Sequence, residues 1–281
     1  MSLTRINTNT DALLAGANLR KMEFQMSRTL SHLSTGLRIT NSSDDPSGNA
    51  LSAAFRAQLG GVSMAIQNAE DGLSMMSTAD QALADNMDML LRMRDIAVRA
   101  SSDATLTTSQ RQTMEQEYIN LKTELGRRKT AITFNGKCLF SGGLSGKTIQ
   151  IGPDNVAGYK LSIQLPLLSV SNINGRNIAS AHVSSVTSAA RAIDLVQSAI
   201  NGMANMQNLV GSQERSLERL INDLRSQQVN VAAASSRITD ADMASEITNF
   251  ARQQIIAQSA TAMIAQANAQ PNSIMKILGI G

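Results

Sequence analysis

A long run of apolar residues, spaced alternately four and three apart, constrains this chain more than any other feature of its sequence. The run extends from Phe55 to Ala97, and only Asp80 and Arg94 interrupt it. A period of 3.5 residues sustained over about six heptads is typical of a long helix in a coiled-coil-like bundle. The sequence also marks the start of this helix, because Asp45 can act as its N-cap and a proline follows directly.

Two further helices are predicted to pack beside the first one. A second seam with the same rhythm covers residues 193–231, and a shorter apolar stripe covers residues 114–125. Ser109 with Gln112 has the pattern of a capping box and would start the shorter helix. These three patterns together favour a mainly α fold built around a long helical bundle.

The helical period disappears in the middle of the chain, at about residues 134–174. Turn signals occur at Asn135-Gly136 and Gly142-Gly143, and residues 148–151 and 160–165 alternate between apolar and polar side chains. Short strands and a β-hairpin are therefore predicted for this region.

Both ends of the chain carry apolar stripes, and we expect them to form paired N- and C-terminal helices. Gly36 is placed to end the first helix, and from Gln253 to the end of the chain Lys276 is the only charged residue. A helix exposed on a monomer normally carries charges on its outer face, so this tail favours enclosure by other copies of the chain. The predicted subunit-assembly residues are Leu19, Met22, Met26, Leu30, Leu33, Phe250, Ala257, Ala260, Ile264, Ala267, Ile274 and Leu278.

Such termini bury too little apolar surface alone to offset the entropy of ordering them, so we expect them to be disordered in the monomer and to fold on assembly. The alternative is that the two termini simply pair inside one globular molecule.

Composition and motifs argue against several other classes of protein. The net charge is only +3 and the basic residues are scattered, which disfavours nucleic-acid binding. The start of the chain has no signal-peptide pattern and no apolar stretch is long enough to span a membrane. The single cysteine, Cys138, cannot form an intramolecular disulfide, and a structural role as a small apolar residue is favoured over a dyad with a histidine.

Catalytic, cofactor and metal sites are not expected. Neither His32 nor His182 has a second metal ligand at helical spacing. Residues 142–148 are one residue short of a phosphate-binding loop, and the segment after them alternates like a strand. The acidic pairs at 44–45 and 240–242 are better explained by helix capping, with Thr239 as the cap of the last helix.

Five motifs lie towards the two ends of the chain. Near the start these are Ser31–Ile39, Asn41–Gly48 and Ala69–Gly72. Near the end they are Ser236–Ala244 and Ala262–Asn272. These stretches resemble the terminal signatures of bacterial flagellins. The resemblance covers nearly the whole chain, and it implies a flagellin reduced to its core, without the outer variable domains.

The resemblance implies a structural subunit, not an enzyme, that polymerises into the flagellar filament for swimming motility. Residues 1–44 together with 240–281 would form an inner core domain that lines the filament channel, and residues 45–239 an outer core domain. Such subunits are exported unfolded through the flagellum's own apparatus without a cleaved signal peptide, and they add at the distal tip outside the cell. Other copies of the chain, an export chaperone, and cap and junction proteins would be its partners.

Residues 91–98 also resemble a segment that a Toll-like receptor of the host recognises in many flagellins. Matching positions give Arg92, Ile96 and Glu117 as receptor contacts, and a purely structural helix face is the alternative. Three other identities remain open at this point: a hook–filament junction protein, a nucleotide-binding enzyme and a basic nucleic-acid binder.

Overall fold

The computed structural model describes residues 8–165, 167–168 and 177–277, of which residues 270–277 are described by their backbone alone. The described chain is mainly helical, as predicted. Its helices are α1 (Thr10–Thr35), α2 (Pro46–Ala100), α3 (Thr108–Ala131), α4 (Val186–Thr239) and α5 (Met243–Ile277). Its strands are β1 (Thr133–Phe134), β2 (Lys137–Cys138), β3 (Thr148–Gln150) and β4 (Lys160–Ser162).

The helix predicted from the first seam is confirmed as α2, a single helix of 55 residues. The predicted start is also confirmed, because Asp45 Oδ1 accepts a hydrogen bond of 2.9 Å from the backbone N–H of Gly48 and Pro46 is the first helical residue. At the far end, the guanidinium of Arg111 donates to the last carbonyl of α2, on Ala100, over 3.1 Å.

The two seams supply most of the apolar core. Met76, Leu83 and Leu90 of α2 are fully buried, and Val210 and Leu217 of α4 lie in the same core cluster. Each fully buried side chain of this size contributes roughly 1.5–3 kcal/mol. The seam therefore provides the main stabilisation of the bundle, as its period predicted.

The starts of α3 and α5 differ from the predicted ones. The capping box of α3 is formed by Thr107 and Gln110, not by Ser109 and Gln112, because Thr107 has the extended backbone that an N-cap needs. Asp242, not Thr239, caps α5, and its carboxylate accepts from the N–H of Ala244 over 3.1 Å.

The β region consists of two short antiparallel hairpins, and its predicted strands at 148–151 and 160–165 are shorter in the structure. Asn135 and Gly136 form the turn between β1 and β2 with positive φ angles of 48° and 74°. A two-residue hairpin turn of this type needs positive φ at both positions, which asparagine and glycine tolerate best. The predicted part of this region at 169–174 lies outside the described residues.

Glycines on α2 allow the second hairpin to lie directly on that helix. A Cβ atom at Gly72 would collide with the side chain of Ile149 on β3, and a Cβ atom at Gly61 would collide with Pro153 in the connection to β4. A hydrogen bond also holds this hairpin against α2, because the Asn68 side chain donates to the Gln150 carbonyl over 3.1 Å. The helix and the hairpin thus form one packed body.

The chain divides into two compact units, one comprising residues 1–57 and 230–281 and the other residues 58–229. The first contains α1 and α5, and the second contains α3 and all four strands. The division falls within α2 and α4. The predicted domain limits at 44–45 and 239–240 stay a prediction.

Candidate assembly surface

The two terminal helices pack along each other in the first unit. At one end, Asn9 caps α1 by accepting from the N–H of Ala12 over 3.0 Å, and its side-chain amide donates to the carbonyl of Ala267 on α5 over 2.8 Å. This one residue therefore starts α1 and also links it to α5.

At the other end of the pair, α1 stops where predicted. Gly36 adopts a left-handed conformation with φ of 71°, which glycine reaches at little cost. Leu37 and Asp240 then form an isolated antiparallel bridge. The N–H of Arg38 donates to the Thr239 carbonyl over 2.7 Å on one side of that bridge. The exit of α1 and the entry to α5 are thus joined by backbone hydrogen bonds.

A polar cluster beside this bridge connects α1, the following loop and α5. The imidazole of His32 is buried, with Nε2 at 3.6 Å from Asp44 Oδ2 and Nδ1 at 3.6 Å from Glu246 Oε1. Arg28 pairs with the other oxygen of Asp44 over 2.7 Å. Sequence reasoning did not find this role of His32, because the partners of a histidine in another helix leave no local pattern.

Asp44 is the centre of this cluster and organises the loop. Its carboxylate accepts hydrogen bonds from the N–H groups of Thr40 and Asn41 and from the Thr40 hydroxyl. Burial acts to raise the pKa of Asp44, but these hydrogen bonds and the nearby charge of Arg28 outweigh it and lower the pKa to about 2. The carboxylate is therefore charged at neutral pH. Asp44 was expected to take part in helix capping, and instead it holds the loop before α2.

Most of the predicted assembly residues are half-buried in this first unit. Leu30 differs and is 54% exposed. The side chain of Ile274 and the whole of Leu278 lie outside the described residues. The half-buried ones are Leu19, Met22, Met26, Leu33, Phe250, Ala257, Ala260, Ile264 and Ala267. We infer from their spacing and burial that these side chains mainly face the α1–α5 contact.

The outer surface of the helix pair carries a second set of apolar side chains, which sequence reasoning missed. Phe24 is 73% exposed and Leu13 62%, and these two residues, eleven apart, share one face of α1. That spacing is present in the sequence, but the longer apolar stripe that includes Met22 and Met26 is the stronger pattern and was the one interpreted. The exposed set is Leu13, Leu14, Phe24, Met243, Ile247, Ile255, Ile256 and Met263, and Leu30 of the predicted residues is exposed beside it.

Several large apolar side chains exposed on one pair of helices are candidates for burial, because exposed apolar surface on soluble proteins can mark interaction sites. On α5 the apolar side chains are accompanied by Gln, Asn, Ser and Thr, with no charged residue between Gln253 and Lys276. The helix pair therefore offers surfaces suited to burial against another protein.

The residues predicted to contact a receptor lie in the second unit and have different exposures. Arg92 donates to Glu117 Oε1 over 2.8 Å from Nε and 2.6 Å from Nη2, and both side chains are accessible. Ile96 is only 4% exposed and belongs to the core. Only the arginine and the glutamate are thus available at the surface.

The described residues show no catalytic arrangement and contain no group of three or more His, Cys, Asp or Glu that could hold a metal ion. Cys138 and His182 have separate partners: the thiol lies 3.4 Å from the carbonyl of Thr130, and the imidazole lies 3.0 Å from Glu115. The segment resembling a phosphate loop leads into strand β3, not into a helix. None of the described helices is long and apolar enough to cross a membrane.

Comparison with known families matches both ends of the chain. Residues 6–144 match the bacterial flagellin N-terminal helical region, and residues 193–278 match the bacterial flagellin C-terminal helical region. These two matches together cover well over half of the sequence.

Individual relatives agree with this match over nearly their full length. The chain is 32% identical over 273 residues to a flagellin of Halalkalibacterium halodurans, covering 97% of this chain and 99% of the relative. It is 31% identical to a flagellin of Bacillus subtilis, covering 98% and 99%.

A solved structure described as a putative flagellar hook-associated protein from Vibrio parahaemolyticus is similar in fold, with a TM-score of 0.60. The matched region covers 70% of this chain and 100% of the Vibrio protein. Because the two sequences are only 14% identical, the similarity shows the fold alone. The family is decided by the sequence matches at both ends. The chain belongs to the bacterial flagellin family, whose members are the structural subunits of the extracellular flagellar filament.

Proposed function

We propose that this flagellin polymerises through the outer faces of α1 and α5, and that it has a structural role without catalysis. The observation that carries the proposal is the set of large apolar side chains left exposed on both terminal helices, with Phe24 73% and Ile255 64% exposed. Burying one such side chain between subunits contributes roughly 1.5–3 kcal/mol. Several of them together would offset the entropy of holding a subunit in place.

The contact between α1 and α5 does not remove the need for a partner. The alternative, in which the termini only pair inside one molecule, accounts for the half-buried stripe of residues such as Met26 and Ala260. It does not account for the large apolar side chains that stay exposed on the same helices. Pairing within the subunit and packing between subunits therefore use different faces.

An extended filament needs contacts that repeat without forming a closed ring. Each subunit would therefore bind its neighbours through heterologous contacts, in which two different surfaces meet. We infer that the terminal helices become ordered as each subunit joins, so that buried area between subunits offsets their ordering entropy. In this proposal, residues 1–44 with 240–281 form the inner core domain along the channel and residues 45–239 the outer core domain.

The resemblance to flagellins supports an export route and several protein partners for this subunit. The subunit would leave the cell unfolded through the flagellar export apparatus, without a cleaved signal peptide, and would meet an export chaperone, junction proteins and the cap at the distal tip. We also infer that a Toll-like receptor of a host recognises the exposed Arg92–Glu117 pair on α2 and α3.

Charge substitutions on the outer faces test the assembly proposal in the full-length chain. Phe24→Asp and Ile255→Asp should each abolish or strongly slow filament formation, while circular dichroism of the bundle stays unchanged. Val156→Asp is the matched control, because Val156 is 55% exposed in a loop outside α1 and α5. Normal filaments from both test variants would show that these faces are not the assembly surface.

A further inference from the structure

The two long seams are each interrupted by an acidic residue, and the fold brings these two interruptions together. Asp80 breaks the seam of α2, and Glu214 occupies a seam position of α4. Both side chains are half-buried. The sequence showed the break at Asp80, but it did not show which residue of α4 lies opposite.

The antiparallel register of α2 and α4 places them opposite each other. Arg225 pairs with Glu70 over 2.7 Å, and a Cβ atom at Gly72 would lie 3.7 Å from Leu217. Moving ten residues forward along α2 from Glu70 and eleven back along α4 from Arg225 leads to Asp80 and Glu214. Two carboxylates thus occupy the same level of the seam.

Apolar side chains flank Asp80 along α2, and acidic groups lie near Glu214. Met76 and Leu83 are fully buried on either side of Asp80. The charged groups that act on Glu214 are Asp80 across the seam and Glu218 one turn along α4, and both are negative.

Among the described residues, neither Asp80 nor Glu214 has an ion pair. Arg215, the next residue of α4, is exposed. On the strand side, the side chain of Gln213 bonds to the backbone of Gln164.

We propose that Asp80 and Glu214 form a proton-responsive element in the α2–α4 seam, which loosens the bundle at neutral pH and tightens it when the pair takes up a proton. Like charges at a half-buried position oppose packing, and a bound proton removes the repulsion between them. The element acts within a single subunit, so the proposal does not depend on polymerisation.

The direction of the pH response follows from the charge states. Burial, followed by the charges of Asp80 and Glu218, raises the pKa of Glu214 in the folded chain. A carboxyl whose pKa is higher in the folded state than in the unfolded state binds its proton more tightly when folded. The stability of the bundle should therefore rise as the pH falls from neutrality towards the ordinary range of glutamate.

Thermal unfolding of the full-length monomer at pH 7.5 and pH 5.5 tests this element. Glu214→Gln should raise the melting temperature at pH 7.5 by roughly 2–4 °C and should abolish the gain that the unmodified chain shows at pH 5.5. Asp80→Asn should act in the same direction, and the double variant should gain less than the sum of the two single variants, because one repulsion is shared.

Asp223→Asn is the control, since Asp223 is an exposed acid on the same helix, and it should leave the pH response intact. The proposal is wrong if both Glu214→Gln and Asp80→Asn melt at or below the temperature of the unmodified chain at pH 7.5. A full pH response that persists in Glu214→Gln would contradict it equally.

Discussion

Gly61 of α2 lies directly beneath Pro153, so that the connection between β3 and β4 rests against the bare helix backbone. Its neighbour Gly60 faces open space, and a Cβ atom added there would meet nothing within 4 Å. Two adjacent glycines of one helix therefore have opposite environments, and the difference shows that the hairpin is seated on a single face of α2.

Gly61→Ala should destabilise the chain by roughly 1–3 kcal/mol, because the added methyl group forces the Pro153 backbone away. Gly60→Ala should instead stabilise it by roughly 0.5–1 kcal/mol, since alanine favours the helix and meets no neighbour. Urea unfolding of both variants measures the difference. Equal effects from the two substitutions would show that the hairpin does not rest on this glycine.

A second pair of glycines tests how α1 ends. Gly36→Ala should cost roughly 1–2 kcal/mol, because an L-residue is strained at φ of 71°. Gly16 lies in the middle of α1 with open space around it, so Gly16→Ala should strengthen that helix. Amide hydrogen exchange at the Leu37–Asp240 bridge, measured on assembled filaments, reports on the joint between α1 and α5. Faster exchange is expected in the first variant alone, and unchanged exchange in Gly36→Ala would exclude a role for the left-handed turn.

The charged cluster around Asp44 predicts a loss of stability in strong acid. Because its pKa is lowered to about 2 in the folded chain, Asp44 contributes stability that is complete above the ordinary range of aspartate. That contribution is lost as the pH falls towards 2. Asp44→Asn should lower stability at pH 7, by roughly 2 kcal/mol for the charged hydrogen bonds removed, and should flatten the acid limb of the pH profile. A profile that matches the unmodified chain below pH 4 would show that another carboxyl is responsible.

The exposed Arg92–Glu117 pair gives a prediction about receptor recognition. Arg92→Ala and Glu117→Ala should each reduce the signal in a Toll-like-receptor reporter assay, while stability changes by only about 0.2–1 kcal/mol, as expected for a surface ion pair. The equally exposed pair of Arg225 and Glu70 provides the control, and Arg225→Ala should leave the signal unchanged. A silent assay with the unmodified monomer would exclude this partner.

The sequence predicted the helices well because their information is local and repeated. The seam from Phe55 to Ala97, the Asp45 cap and the Gly36 stop can all be recognised from neighbouring residues, and each is present in the structure. Helix starts were less certain because several hydroxyl residues compete for the same role. The backbone conformation of Thr107 decided that choice, and no sequence pattern reports it.

The candidate surfaces could be predicted only in part, because they depend on contacts between distant segments. A stripe of residues such as Met22 and Met26 identifies an apolar face, but it does not say whether that face meets α5 or another subunit. Likewise, Ile96 matched a motif position although it lies in the core. His32 and Glu246 are more than two hundred residues apart, and only the fold brings them together.

Electron microscopy of the purified full-length chain under salting-out conditions, beside a chain trimmed to residues 45–239, tests the central claim most directly. We predict filaments from the full-length chain and none from the trimmed one, because the apolar faces of α1 and α5 are then missing. If neither chain forms filaments and both sediment as compact monomers, the terminal helices pair only within one molecule, and the proposed assembly surface is wrong.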